Sequence, residues 1–151
     1  LMVEARREFY PEGRLPSRFV VTADAFTRRG QHDQAANFLR NAVAENPKDG
    51  EAWLALGNAL VEHAGGRLTA AALYAYSQAE KVSPENPAPT YFLGLAFLRA
   101  GEPANTLTLW RELLESAPAD AEWRGPLAAR LERLEAILGV TEQEGSIETE
   151  E

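Results

Sequence analysis

Prolines at positions 47, 84 and 118 close three successive runs of helix-periodic apolar residues, at intervals of 37 and 34 residues. A proline disfavours helical geometry in the residue before it, so Asn46, Ser83 and Ala117 are expected to end helices. Upstream of the prolines, Ala23, Gly57 and Gly94 align with one another. They follow Thr22, Leu56 and Leu93 and stand three residues ahead of Phe26, Leu60 and Phe97. A glycine-containing turn comes next in each case, at Gly30, Gly65–Gly66 and Gly101, and then a second periodic run that ends at the proline. The unit is therefore helix, turn, helix, proline. The extra three residues of the longer interval fall within 63–69, between the two helices of the middle unit. A loop tolerates such an insertion where a helix interior does not.

Two antiparallel helices pack closely only where small side chains meet. Ala23, Gly57 and Gly94 supply them on the first helices, and Ala35, Ala42, Ala72 and Ala79 on the second helices of the first two units. Phe19, Phe26, Leu39, Trp53, Leu56, Leu60, Tyr76, Leu93, Phe97 and Trp110 recur at three- and four-residue spacing and fill the gaps. A helical-hairpin repeat of 34 residues is the period of the tetratricopeptide repeat (TPR). The sequence thus predicts an all-α chain: a TPR superhelix, or α–α solenoid, of about three repeats plus a C-terminal capping helix. The repeats fall at 16–49, 50–86 and 87–120, within a TPR domain of 16–138. The third departs from the pattern, with Thr106 where a small residue belongs and Leu113 where alanine is usual, and a wider helix spacing is expected there. Residues 121–138, with Leu127, Leu131, Leu134 and Leu138 on one face, read as the cap that a solenoid needs over its last open side. The N-terminal extension, 1–15, is expected to hold a helix through Val3–Tyr10 and then a turn at Pro11–Gly13.

The net charge of −8 is unevenly placed, because residues 140–151 carry five glutamates and no base, leaving −3 for residues 1–139. Residues 139–151 read as an acidic, disordered tail. An acidic balance without a basic patch argues against a nucleic-acid partner, since such binding rests on Lys and Arg displacing counterions. The chain has no cysteine, which excludes disulfides, thiolate metal sites and cysteine nucleophiles. No stretch approaches the roughly 18–20 apolar residues of a membrane span. The chain opens on Leu1 rather than an initiator methionine, as a trimmed fragment would.

A catalytic constellation is missing from the residue pattern. His32 and His63 lie at helix-joining turns without a partnering motif, and five scattered serines lack a nucleophile elbow or a base. Gly65–Gly66 is too short to cradle a phosphate, and pairs such as Glu112/Glu115 fall on solvated helix faces. The reading is of a chain that is not an enzyme, takes no cofactor, metal or small-molecule substrate, and works by its surface. Trp53, Trp110 and Trp123 are assigned to packing.

The first helix of each pair lines the concave side of such a solenoid. Counting along the repeats puts Val20, Asp24 and Arg28, then Leu54, Asn58 and Glu62, then Tyr91, Leu95 and Arg99 on that side. The candidate peptide-binding groove is therefore Asp24, Arg28, Leu54, Asn58, Tyr91, Leu95 and Arg99. Its centre is apolar, an amide stands in mid-groove to meet a peptide backbone, and two arginines are placed to pair with a carboxylate.

Three stretches are more specific than the repeat. They are Leu56–Val61 with Gly65–Thr69, then Asn86–Ala96, then Leu109–Leu114 with Ala119–Arg124. Together they resemble the periplasmic TPR domain of bacterial c-type cytochrome biogenesis factors, the CcmI/CycH type, over residues 17–138. That resemblance implies a domain carried behind N-terminal membrane helices, at the periplasmic face of a bacterial inner membrane. It implies a chaperone or assembly factor that captures the C-terminal segment of an apocytochrome c, with haem handled by other proteins. The alternative is a general TPR scaffold that joins folded partner proteins.

Overall fold

The computed structural model describes residues 2–10 and 16–147, with side chains as far as Gly139. Among the described residues there are eight helices and no strand: α1 (Met2–Arg7), α2 (Arg18–Arg28), α3 (His32–Glu45), α4 (Gly50–His63), α5 (Ala70–Val82), α6 (Ala88–Arg99), α7 (Pro103–Ser116) and α8 (Arg124–Ile147). The helices that precede the three prolines end where the sequence placed them. Asn46 and Ser83 leave helical geometry at φ −138° ψ 92° and φ −138° ψ 75°, and Ala117 does so at φ −68° ψ 136°.

Helix starts are set by side chains that accept from otherwise unpaired amides. Asp49 takes the Ala52 N–H at 3.0 Å, Thr69 that of Ala72 at 3.2 Å, and Asn86 that of Ala88 at 2.9 Å. Inside each hairpin the chain reverses at a glycine in the left-handed region, Gly30 at φ 73° and Gly101 at φ 80°, which a residue with a Cβ rarely adopts.

The pairs α2/α3, α4/α5 and α6/α7 pack as hairpins, α3 against α4 and α5 against α6 stack one hairpin on the next, and α8 covers α7. Ala23, Ala35, Ala42, Ala72 and Ala79 are all buried at the contacts. At Gly57 an added Cβ would lie 2.8 Å from Cε1 of Tyr76, so the missing side chain is what admits that ring. Leu127 and Leu131 of α8 are buried, and Arg124 Nη1 donates to the Leu114 and Ala117 carbonyls at 3.0 and 3.1 Å, satisfying the end of α7.

Three expectations need correction. The third repeat is not loosened at Thr106: its side chain is fully buried, and its hydroxyl donates to the Gly94 carbonyl at 2.7 Å, because Gly94 has no side chain to hold it off. The cap begins at Arg124 rather than 121 and continues past Leu138 to Ile147, so the tail expected from 139 opens as helix. That stretch contains no proline, and a glycine inside a helix costs only about 1 kcal/mol. Residues 148–151 lie outside the described residues. Finally, the N-terminal helix stops at Arg7, and a tighter turn carries the chain through Phe9 and Tyr10. The turn expected at 11–13 lies outside the described residues.

Candidate peptide-binding groove

The first helices of the three pairs wall a cavity of about 880 Å³. Asp24 and Arg28 of α2, Asn58 of α4, and Leu95 and Arg99 of α6 all line it, together with Phe92 and Tyr76. Five of the seven residues expected in the groove therefore share one wall system. Leu54 and Tyr91 do not. Leu54 is 0% exposed, because α4 is packed by α1, α2, α3, α5 and α6 and has almost no open face. Tyr91 is buried as well, stacked on Trp110 at 5.4 Å and 10° between ring planes, and it borders a neighbouring cavity of about 330 Å³ with Trp123 and Arg130.

The residues that sequence reasoning missed come from the N-terminal helix. α1 lies on the concave side against α2 and α4, and Met2, Val3, Glu4 and Arg6 form part of the cavity wall. Arg6 is only 3% exposed. Its Nη1 and Nη2 donate to the two carboxylate oxygens of Asp24 at 2.9 and 2.7 Å, and its Nε donates to Glu51 at 3.2 Å. Arg7 donates to both oxygens of Glu51 at 2.9 Å, and Arg28 reaches Glu4 at 3.0 Å. Burial works against the Arg6 charge. The bonds and charge of Asp24, then those of Glu51, more than offset it and hold the guanidinium above its ordinary value. Two of the expected ligand contacts, Asp24 and Arg28, are thus engaged by the chain's own residues. The signal available in the sequence was the pairing of apolar Met2, Val3, Phe9 and Tyr10 with basic Arg6 and Arg7, opposite the acids of α2 and α4.

Asn58 lines the cavity from α4. The Tyr76 hydroxyl donates to its Oδ1 at 2.8 Å, and burial pushes that phenol above its ordinary range, so it stays a donor. This fixes the amide with Nδ2 as the remaining donor. Nδ2 is buried, and it has no partner among the described residues. At the rim Arg99 pairs with Glu62, and His32 is held below its ordinary value, first by burial and then by the charge of Arg99. Among the described residues no group of three His, Cys, Asp or Glu could hold a metal, and no helix is long and apolar enough to cross a membrane.

Three stacked helical hairpins, with an amide donor and acidic side chains facing a trough, define a protein-interaction module of the tetratricopeptide-repeat class. Residues 21–87 match the tetratricopeptide repeat family. The chain is a TPR protein that resembles the cytochrome c-type biogenesis protein CycH. It is 37% identical to CycH of Bradyrhizobium diazoefficiens over 114 residues, 76% of this chain and 31% of that protein. It is 32% identical to CycH of Rhizobium meliloti over 103 residues, 68% and 27% of the two chains. It thus spans less than a third of the curated relatives it matches. A solved structure, the type III secretion translocator chaperone SycD of Yersinia enterocolitica, shares the fold at a TM-score of 0.61 with 16% identity, over 87% of this chain and 99% of that one.

Proposed function

We propose that the concave cavity binds a polypeptide segment, and that the segment is the C-terminal tail of an apocytochrome c awaiting haem attachment. On this reading the module is a non-catalytic chaperone in cytochrome c maturation. Its parent protein is anchored in a bacterial inner membrane, with this domain on the periplasmic side. The observation that carries the peptide reading is Asn58, whose Nδ2 is buried on the cavity wall without a partner among the described residues. A buried donor left unsatisfied is unfavourable by about 1–3 kcal/mol, and a small rotation of the Asn58 side chain that presents Nδ2 to a peptide carbonyl removes that penalty. The likeness to CycH supports the choice of client.

Calorimetric titration with a synthetic peptide matching the tail of a c-type cytochrome from the same organism tests it. The chain should bind the peptide, and Asn58→Ala should bind about tenfold more weakly, the equivalent of about 1.4 kcal/mol. Absence of binding, or equal binding by the variant, would remove the reading. A scaffold for folded partners then takes its place, and one feature favours it: Leu73 and Tyr74 of α5 are exposed and do not line the cavity.

A further inference from the structure

The segment that fills part of the groove is itself the size of a ligand. α1 has six helical residues. Isolated helices shorter than about 12–15 residues are marginal in water, so α1 owes its helicity to the surface that holds it. That surface grips the segment at two points, one in the helix and one in the turn that follows it. The Arg6 guanidinium enters the acidic recess of Asp24 and Glu51, and three residues on, the Phe9 ring lies 5.3 Å from that of Tyr91 and 5.9 Å from that of Phe92. Asn86 adds a bond from its Nδ2 to the Phe9 carbonyl at 3.2 Å. Arginine in a carboxylate fork, an aromatic anchor and a backbone bond are the contacts of a helix-in-groove complex, made here within one chain.

We infer that α1 with the turn after it is a tethered stand-in for the client, and that the groove selects a short helix with an arginine near its end, followed three residues later, in the turn beyond, by an aromatic. This rests on the peptide-groove reading above and adds two things to it, the chemistry of the segment and a competitor that must leave first. A short tether keeps α1 at an effective concentration of order mM, so a client binds only if its contacts outlast that competition.

Fluorescence anisotropy with a labelled peptide of the sequence Met2–Tyr10 tests it on the full chain. Arg6→Ala, which loosens α1, should bind the peptide at least tenfold more tightly than the wild type. A peptide with alanine in place of its own first arginine should lose at least tenfold on that variant. Equal affinity for wild type and variant, including no binding by either, overturns the inference. If Arg6→Ala loses its helical circular dichroism, Phe9→Ala takes its place in the same comparison. The cytochrome-tail peptide, titrated into the same proteins, separates the two readings. Tail binding unchanged by Arg6→Ala defeats the stand-in and spares the client. Failure of the tail on every chain, with Met2–Tyr10 still bound by the variant, defeats the client and spares the stand-in.

Discussion

Arg6 and Asp24 meet through two parallel hydrogen bonds of 2.9 and 2.7 Å, which join a helix at the start of the chain to the first helix of the first repeat. Removing one partner of a buried ion pair usually costs about 3–5 kcal/mol, because the other charge is stranded. On the inference that α1 undocks, Arg6 returns to water, which limits the loss to the docking free energy. Asp24→Ala should therefore lower the urea midpoint by less than that range implies. It should also strip hydrogen-exchange protection from residues 2–10 while leaving α4 and α6 protected. Loss of protection across all the helices would show instead that the pair holds the whole solenoid.

Gly94 tests the close approach of α6 and α7. A Cβ there would sit 2.9 Å from Cδ1 of Trp110 and closer still to its Nε1. The indole cannot easily retreat, since it is buried, stacked on Tyr91 and bonded through Nε1 to the Tyr91 carbonyl at 3.3 Å. Overpacking of this kind costs about 1–3 kcal/mol, and alanine recovers about 1 kcal/mol in helix propensity. Gly94→Ala should lose up to about 2 kcal/mol net in urea denaturation. A raised midpoint would mean that the two helices are not so close.

Thr106 offers a finer measurement at the same junction. Thr106→Val keeps the shape and deletes the hydroxyl that reaches the Gly94 carbonyl. That carbonyl lies in the interior of α6, so the loss should stay near the net value of one hydrogen bond, about 0.5–1.5 kcal/mol. Thr106→Ala should be worse, because it also leaves a void. Equal midpoints for the two variants would contradict this ordering.

His32 predicts a pH dependence. Burial, then the charges of Arg99 and His63, lower its pKa below the ordinary 6.5. The unfolded chain then takes up the proton more readily than the folded one. The stability tied to this residue is complete above about 6.5 and is lost as the pH falls through the lowered folded value. Chemical denaturation at pH 7.5 and 5.5 should show a smaller acid loss in His32→Gln than in the wild type. An identical loss in both would place the acid sensitivity elsewhere.

The repeat architecture was legible because proline, glycine and small-residue positions act locally: Pro47 ends α3 whatever else the chain does. Register counting also put Asp24, Asn58 and Arg99 on one side of the solenoid, where all three line the cavity. It failed at Leu54 and Tyr91, because the count fixes an angle around one helix and says nothing of how many neighbours crowd it. The place of α1 was hidden for a related reason. Six residues carry too little periodicity to reveal a partner, and the contacts that hold Arg6 come from 18 and 45 residues away in the chain. Thr106 misled because its hydroxyl satisfies itself on a backbone carbonyl that only a glycine across the interface exposes.

The ring stack beside the groove makes the seating of the N-terminal segment visible to light. Phe9 lies against Tyr91, and Tyr91 lies flat on Trp110, so the turn that follows α1 is one ring removed from an indole buried in the core. An indole held rigidly against a phenol produces near-ultraviolet circular dichroism that depends on their mutual geometry, and its emission follows the same surroundings. Departure of α1 would loosen the phenol and alter both signals. The molecule therefore carries an unlabelled optical gauge of whether its residues 2–10 are seated.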